Sequence, residues 1–125
     1  PLYDAMGLSL THLQNCVRND DVVLVTIITD GYENSSCEYS AQAIRTRVDK
    51  REKKGWTVAY IGANQDAVEG ASGLNIDNAL NFDATPEGTV FMSLSYEEAR
   101  QDFSRQVKSM AKSRKRESVK GFFKK

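Results

Sequence analysis

A chain of 125 residues suffices for one domain with a hydrophobic core of its own. Basic and acidic residues balance at 17 each, a zero that misleads, and no apolar run approaches the length of a membrane span. The balance is uneven along the chain: residues 105–125 hold nine Lys or Arg against Glu117 alone, which leaves about eight excess negative charges on the rest.

From the amino end, Leu2, Ala5, Met6, Ser9, Leu13, Cys16 and Val17 recur at intervals of three and four and predict an amphipathic helix over residues 2–18. Pro1 suits its first turn, where a missing N–H costs nothing. Cys16 falls on the apolar stripe and is expected in the core. His12 lies about a hundred degrees off it and is expected to be exposed, with a structural role. Asn19-Asp20-Asp21 ends the helix, and Val22 to Thr29 follows as an unbroken apolar and β-branched run. Continuous apolarity, rather than alternation, marks a strand buried on both faces of a parallel sheet. The run stops at Thr29-Asp30-Gly31, which sets Asp30 at the carboxyl end of the strand, where open α/β sheets form their ligand crevice. A carboxylate there is costly to desolvate without a cation or hydrogen bonds. Asp30 is therefore the residue expected to carry chemistry, the alternative being a turn former ahead of the next helix.

Ser35 and Glu38 have capping-box spacing for a helix over 38–54, with Tyr39, Ala43, Ile44 and Val48 inward and a Lys/Arg-rich outer face. Gly55 suits a left-handed stop. Residues 56–61 form the second strand, Asn64 can cap a short helix over 65–73, and residues 79–82 make a third strand. Thr85-Pro86-Glu87 reads as a cap, a first-turn proline and an acid favoured by the helix dipole. A last helix runs to about residue 113, with Phe91, Leu94, Phe103, Val107 and Met110 inward. Ser95 and Glu98 could restart it, so one helix or two stays open. The alternation predicts an α/β three-layer sandwich with about three parallel strands per chain and helices on both faces.

The glycines of Gly62-Ala63-Asn64 and of Gly70 and Gly73 read as turn chemistry, since a dinucleotide fingerprint needs three spaced glycines. Cys16 and Cys37 stand 21 residues apart with no second pair, and His12 is read as apart from both, which excludes the usual zinc frameworks. Two isolated cysteines and no long apolar span predict a reduced, cytoplasmic protein. A start at Pro1 without an initiator Met is expected of a cleaved or trimmed piece. No Ser/His/Asp arrangement and no paired catalytic carboxylates occur, so catalytic residues are expected to be none and the chain not to be an enzyme.

Three segments in this order and spacing resemble the von Willebrand factor type A domain, in a bacterial and phage branch of single-domain members: Pro1-Leu-Tyr-Asp-Ala-Met-Gly7, Ile27-Ile-Thr-Asp-Gly-Tyr-Glu-Asn-Ser-Ser36 and Gly55-Trp-Thr-Val-Ala-Tyr-Ile-Gly-Ala-Asn-Gln-Asp-Ala67. The likeness extends to about residue 112, which divides the chain into a partial domain over 1–112 and a basic C-terminal tail over 113–125. The resemblance implies a Rossmann-like sheet and a metal-ion-dependent adhesion site that binds magnesium through an Asp-x-Ser-x-Ser loop, a threonine and an aspartate. Magnesium suits such a site because it keeps several waters and can recruit a partner's carboxylate. Asp30 matches the family's third-loop aspartate. The threonine would stand before Pro1, and no Asp-x-Ser-x-Ser occurs in the chain. The sequence thus looks like the C-terminal half or more of such a domain, lacking its first strands, with magnesium weak or absent.

The function this implies is metal-ion-dependent protein binding, or a fragment of such a module, with an unidentified protein partner. Self-association through strand 22–29 is expected, since the family's first strand pairs there. The alternative is a basic-tailed protein that binds nucleic acid or an acidic surface. Phe122 and Phe123 are the tail's only aromatics, too few for a stacking platform, so nucleic acid is the weaker partner. A solvated helix end whose cations complement the dipole is the blander account of the same charges.

Overall fold

The computed structural model describes residues 2–30, 36–63, 66–113 and 117–123, the side chains of 110–113 excepted. Seven elements follow in order: α1 (Leu2–Cys16), β1 (Leu24–Thr29), α2 (Ala41–Lys53), β2 (Thr57–Ala63), α3 (Ala67–Ser72), β3 (Asn78–Phe82) and α4 (Pro86–Ser113). The strands form one sheet in the order β1-β2-β3, parallel throughout, with Val25 level with Val58 and Tyr60 level with Ala79. The predicted α/β sandwich with a three-stranded parallel sheet is the fold observed. Successive strands step across the sheet in one direction, so right-handed crossovers set α2 and α3 on the same face. The packing agrees: Met6 and Leu10 of α1, Ile44 and Val48 of α2, and Ala67 and Ala71 of α3 share a core with Val58 and Tyr60. On the opposite face Ala59 packs against Ala99 and Phe103 of α4. β2, the central strand, is buried along its whole length. Its β-branched and aromatic side chains each contribute about 1.5–3 kcal/mol by leaving water.

Residues 117–123 turn back under this second face. Phe122 is 2% exposed and packs edge-on to Phe103, with ring centroids 6.0 Å apart. Two buried polar side chains of the sheet hold the segment. The Val119 N–H donates to Thr57 Oγ1 at 2.8 Å, and the Asn78 amide bridges the Val119 carbonyl and the Phe122 N–H at 2.8 and 3.0 Å.

Several local expectations change. Cys16 is exposed, not in the core, because it lies about 120° round the helix from Leu10, while Leu13 and Val17 on either side of it pack against the core. α2 starts at Ala41, with Ser40 as its cap: Ser40 Oγ accepts from the Ala43 N–H, while the Glu38 N–H bonds to Asp4. Ser35 of the expected capping box lies outside the described residues, as does Asn64, and α3 is capped by Asp66. Gly55 has φ 93°, the left-handed stop expected there. Thr85 Oγ1 accepts from the Gly88 N–H at 2.9 Å and starts α4. A Cβ on Gly88 would run into the Asp83 carbonyl oxygen, so the tight entry into the helix requires glycine. α4 is one helix of 28 residues. Phe103 is buried as expected, but Phe91 and Leu94 are exposed, and the Met110 side chain lies outside the description. Nine residues set Leu94 about half a turn round the helix from Phe103, and it is Tyr96 and Ala99 that turn to the sheet: the Tyr96 hydroxyl meets Thr26 Oγ1 at 2.8 Å and Ala99 packs on Ala59.

Candidate functional site

Parallel strands bring their carboxyl ends to one edge, and Thr29, Gly62 and Asn81 form a row there. Asp30 follows Thr29 directly and is exposed, and Asp83 follows Phe82 in the same way. Asp66, beyond the end of β2, caps α3 by accepting the Glu69 N–H at 3.0 Å. Each strand is thus followed by an aspartate at this edge, and Asp30 stands where the sequence puts it.

The segment after β1 is anchored by a residue that the sequence reading gave no role. Asp4, in the first turn of α1, accepts three backbone N–H groups at 2.9 Å: those of Cys37, Glu38 and Tyr39. In return the Asp4 N–H donates to Ser36 Oγ at 3.0 Å. α1 runs antiparallel to β1, which brings its amino end to the carboxyl edge of the sheet, and the positive end of its dipole favours the carboxylate. Tyr39 lies flat against Gly7, where a Cβ would sit 2.5 Å from the ring, and the Arg47 guanidinium stands 5.1 Å from the ring centroid. Residues 36–39, ahead of α2, are therefore clamped to α1. Pro1-Leu-Tyr-Asp was visible as a motif, but only the fold shows what the aspartate holds.

A magnesium ion needs about six oxygen donors in an octahedron, even where water supplies several. Among the described residues no three His, Cys, Asp or Glu side chains come together, and the Asp4 carboxylate is already engaged by backbone N–H groups. Asp30 alone does not make a binding set, so the described residues do not fit a resident magnesium ion.

His12 is exposed, as expected, but it is not remote from the cysteines: its Nε2 lies 3.8 Å from Cys16 Sγ. The spacing of four on a helix was the signal for this pair. Two exposed side chains fall short of a zinc site. Lys120, in the basic segment, bridges Glu52 and Asp77 at 3.3 and 3.2 Å. Burial pushes the Glu52 carboxyl up from its ordinary range, more than Lys120 and Ser118 pull it down. Among the described residues no helix is long and apolar enough to cross a membrane. No protein-family model, curated protein or solved structure matches the chain.

Proposed function

We propose that this chain is a protein-binding module of the von Willebrand factor type A kind, or a portion of one, with an adhesion site that its own residues leave incomplete. The observation that carries the reading is Asp30 at the carboxyl end of a parallel strand, with residues 37–39 further along the chain anchored to α1 through Asp4. That arrangement presents a carboxylate to a ligand at the edge where α/β sheets bind them. The cytoplasm is the proposed compartment, which accords with two exposed cysteines that form no disulfide. The nucleic-acid alternative loses support because Phe122 is core and Lys120 is engaged with two carboxylates.

Calorimetric titration with magnesium tests the reading. The expected result is weak binding that Asp30→Ala abolishes. Tight binding that survives the substitution would overturn the assignment of Asp30. Salt-dependent retention on a polyanion, lost on deleting residues 113–125, would instead favour the basic-tail reading.

A further inference from the structure

β1 is an edge strand: among the described residues it pairs with β2 alone. The Thr57 N–H donates to the Val23 carbonyl, so the odd-numbered residues of this segment turn their backbone groups toward β2. Leu24, Thr26 and Ile28 consequently aim theirs away from the sheet. Natural edges are blunted by lysine, proline, bulges or a covering segment. Residues 22–29 contain no charge, proline or glycine, and the nearest charges, Asp21 and Asp30, stand beyond the ends. Residues 117–123 dock under the sheet through Thr57 and Asn78 rather than along this edge. β3, the other edge, is shorter and carries Asn78 and Asn81.

The edge is also complementary to itself. A two-fold axis along the sheet normal through Thr26 opposes Leu24 to Ile28, Val25 to Ile27, and Thr26 to its own copy. Every pair is apolar or β-branched, and directly opposed residues lie on the same face, as antiparallel pairing demands. All three outward-facing residues of each strand then exchange both bonds, giving about six backbone hydrogen bonds; an axis through Val25 or Ile27 would give about four. Ile28, 57% exposed, would be covered by Leu24 of the second copy. On the α1 face, a cleft of about 210 Å³ opens beside β1, lined by Ala5, Ser9, Val25 and Ile27 among others. There the small side chains of α1 leave room for Ile27 of the second copy.

We infer that β1 pairs antiparallel with β1 of a second copy of this chain, giving a continuous sheet of about six strands with Thr26 on the two-fold axis. The self-complementary register, which brings no like charges into opposition, favours a second copy as the occupant. The inference does not depend on magnesium or on Asp30.

Sedimentation velocity on the 125-residue chain at rising concentration should show a dimer. Ile28→Lys, at an exposed position, should return a monomer with unchanged circular dichroism. Register is tested by cross-linking in a Cys16→Ser, Cys37→Ser background. Thr26→Cys should form a covalent dimer on oxidation, because hydrogen-bonded antiparallel partners have Cα atoms about 5.5 Å apart, within disulfide reach. Ile28→Cys, more exposed but roughly 14 Å from its own copy in this register, should not. A monomer at all concentrations, a dimer that survives Ile28→Lys, or cross-linking that favours Ile28→Cys would overturn the inference. A monomer whose edge takes up an added extended apolar peptide would assign the edge to a foreign strand.

Discussion

Asn78 is the residue whose loss the fold should register most sharply. It is 3% exposed and makes three bonds: Nδ2 donates to the Val58 and Val119 carbonyls at 3.1 and 2.8 Å, and Oδ1 accepts from the Phe122 N–H at 3.0 Å. Asn78→Ala leaves the chain two options. If residues 117–123 stay docked, buried groups of Val119 and Phe122 lose their partners, at about 1–3 kcal/mol each. If the segment detaches, Val119 and Phe122 return to water at about 1.5–3 kcal/mol each, partly offset by regained conformational entropy. The protein takes the cheaper route, so the loss should come to about 2–3 kcal/mol. At about 3–5 °C per kcal/mol for a domain of this size, the melting temperature should fall by roughly 6–15 °C. Asn78→Asp should be no milder, since it sets an acceptor against two carbonyl oxygens. Asn81→Ala, on the same strand but exposed, should change little. Thermal denaturation by circular dichroism gives the magnitude, and trypsin cleavage after Lys120 reports whether the segment has come loose. A melting temperature within about 2 °C of the parent, or a segment no more open to trypsin, would show that Asn78 does not bracket it.

Asp4→Ala should cost about 1–3 kcal/mol, because three N–H groups lose an ionised acceptor although water can reach two of the three residues. Asp4→Asn should fall between, and equality of Asp4→Ala with the parent in urea denaturation would refute the clamp. For Glu52 and Lys120 the sign differs between the partners. Glu52 is raised above its ordinary 4.5, first by burial, so its contribution favours folding below that value and fades as pH rises through the raised one. Lys120 is lowered by burial but raised on balance above 10.5 by Asp77 and Glu52, so its contribution is present below 10.5 and is lost above the raised value. Lys120→Met should therefore cost less than about 1 kcal/mol near pH 7 and less still at pH 4, where Glu52 is protonated. Glu52→Gln should be neutral or slightly stabilising at pH 7 and cost more at pH 4, where the parent's protonated carboxyl favours folding; a larger penalty for Lys120→Met at pH 4 than at pH 7, or for Glu52→Gln at pH 7 than at pH 4, would reverse the reasoning.

The elements were legible because their signals are local. The run from Val22 to Thr29 reads as a strand of a parallel sheet, which it forms from Leu24 on, and Gly55 and Thr85 mark boundaries through their own backbone chemistry. Periodicity shows which face of a helix is apolar but not what will cover it. Leu94 and Phe103 both read as inward, yet nine residues set them on opposite sides of α4, and Leu94 is 67% exposed while Phe103 is buried. Cys16 likewise lies to the side of the stripe on which Leu10, Leu13 and Val17 meet the core. Val119 and Phe122 failed the other way: set among lysines they read as tail, although two apolar residues spaced by three were signal enough for a docking segment.

The site divides along the same line. Asp30 was legible because its position at a strand end follows from the strand itself, and position is what makes an edge of the sheet available to a ligand. What such a carboxylate can do depends on which other donors meet it, and that is long-range information. Asp4 illustrates the point: it bonds residues 33 to 35 positions away, and no spacing rule connects a helix's first turn with a loop beyond the next strand. Its carboxylate, which composition alone would offer as a second metal ligand, is occupied in holding the loop. The same long-range logic governs the edge of β1. Apolarity on both faces of that strand was visible from residues 22–29, but only the topology shows its outer side open, with Leu24, Thr26 and Ile28 turning their backbone groups outward. A strand with this composition is stable only when something lies beside it, and its near-palindrome about Thr26 makes a second copy a sufficient neighbour.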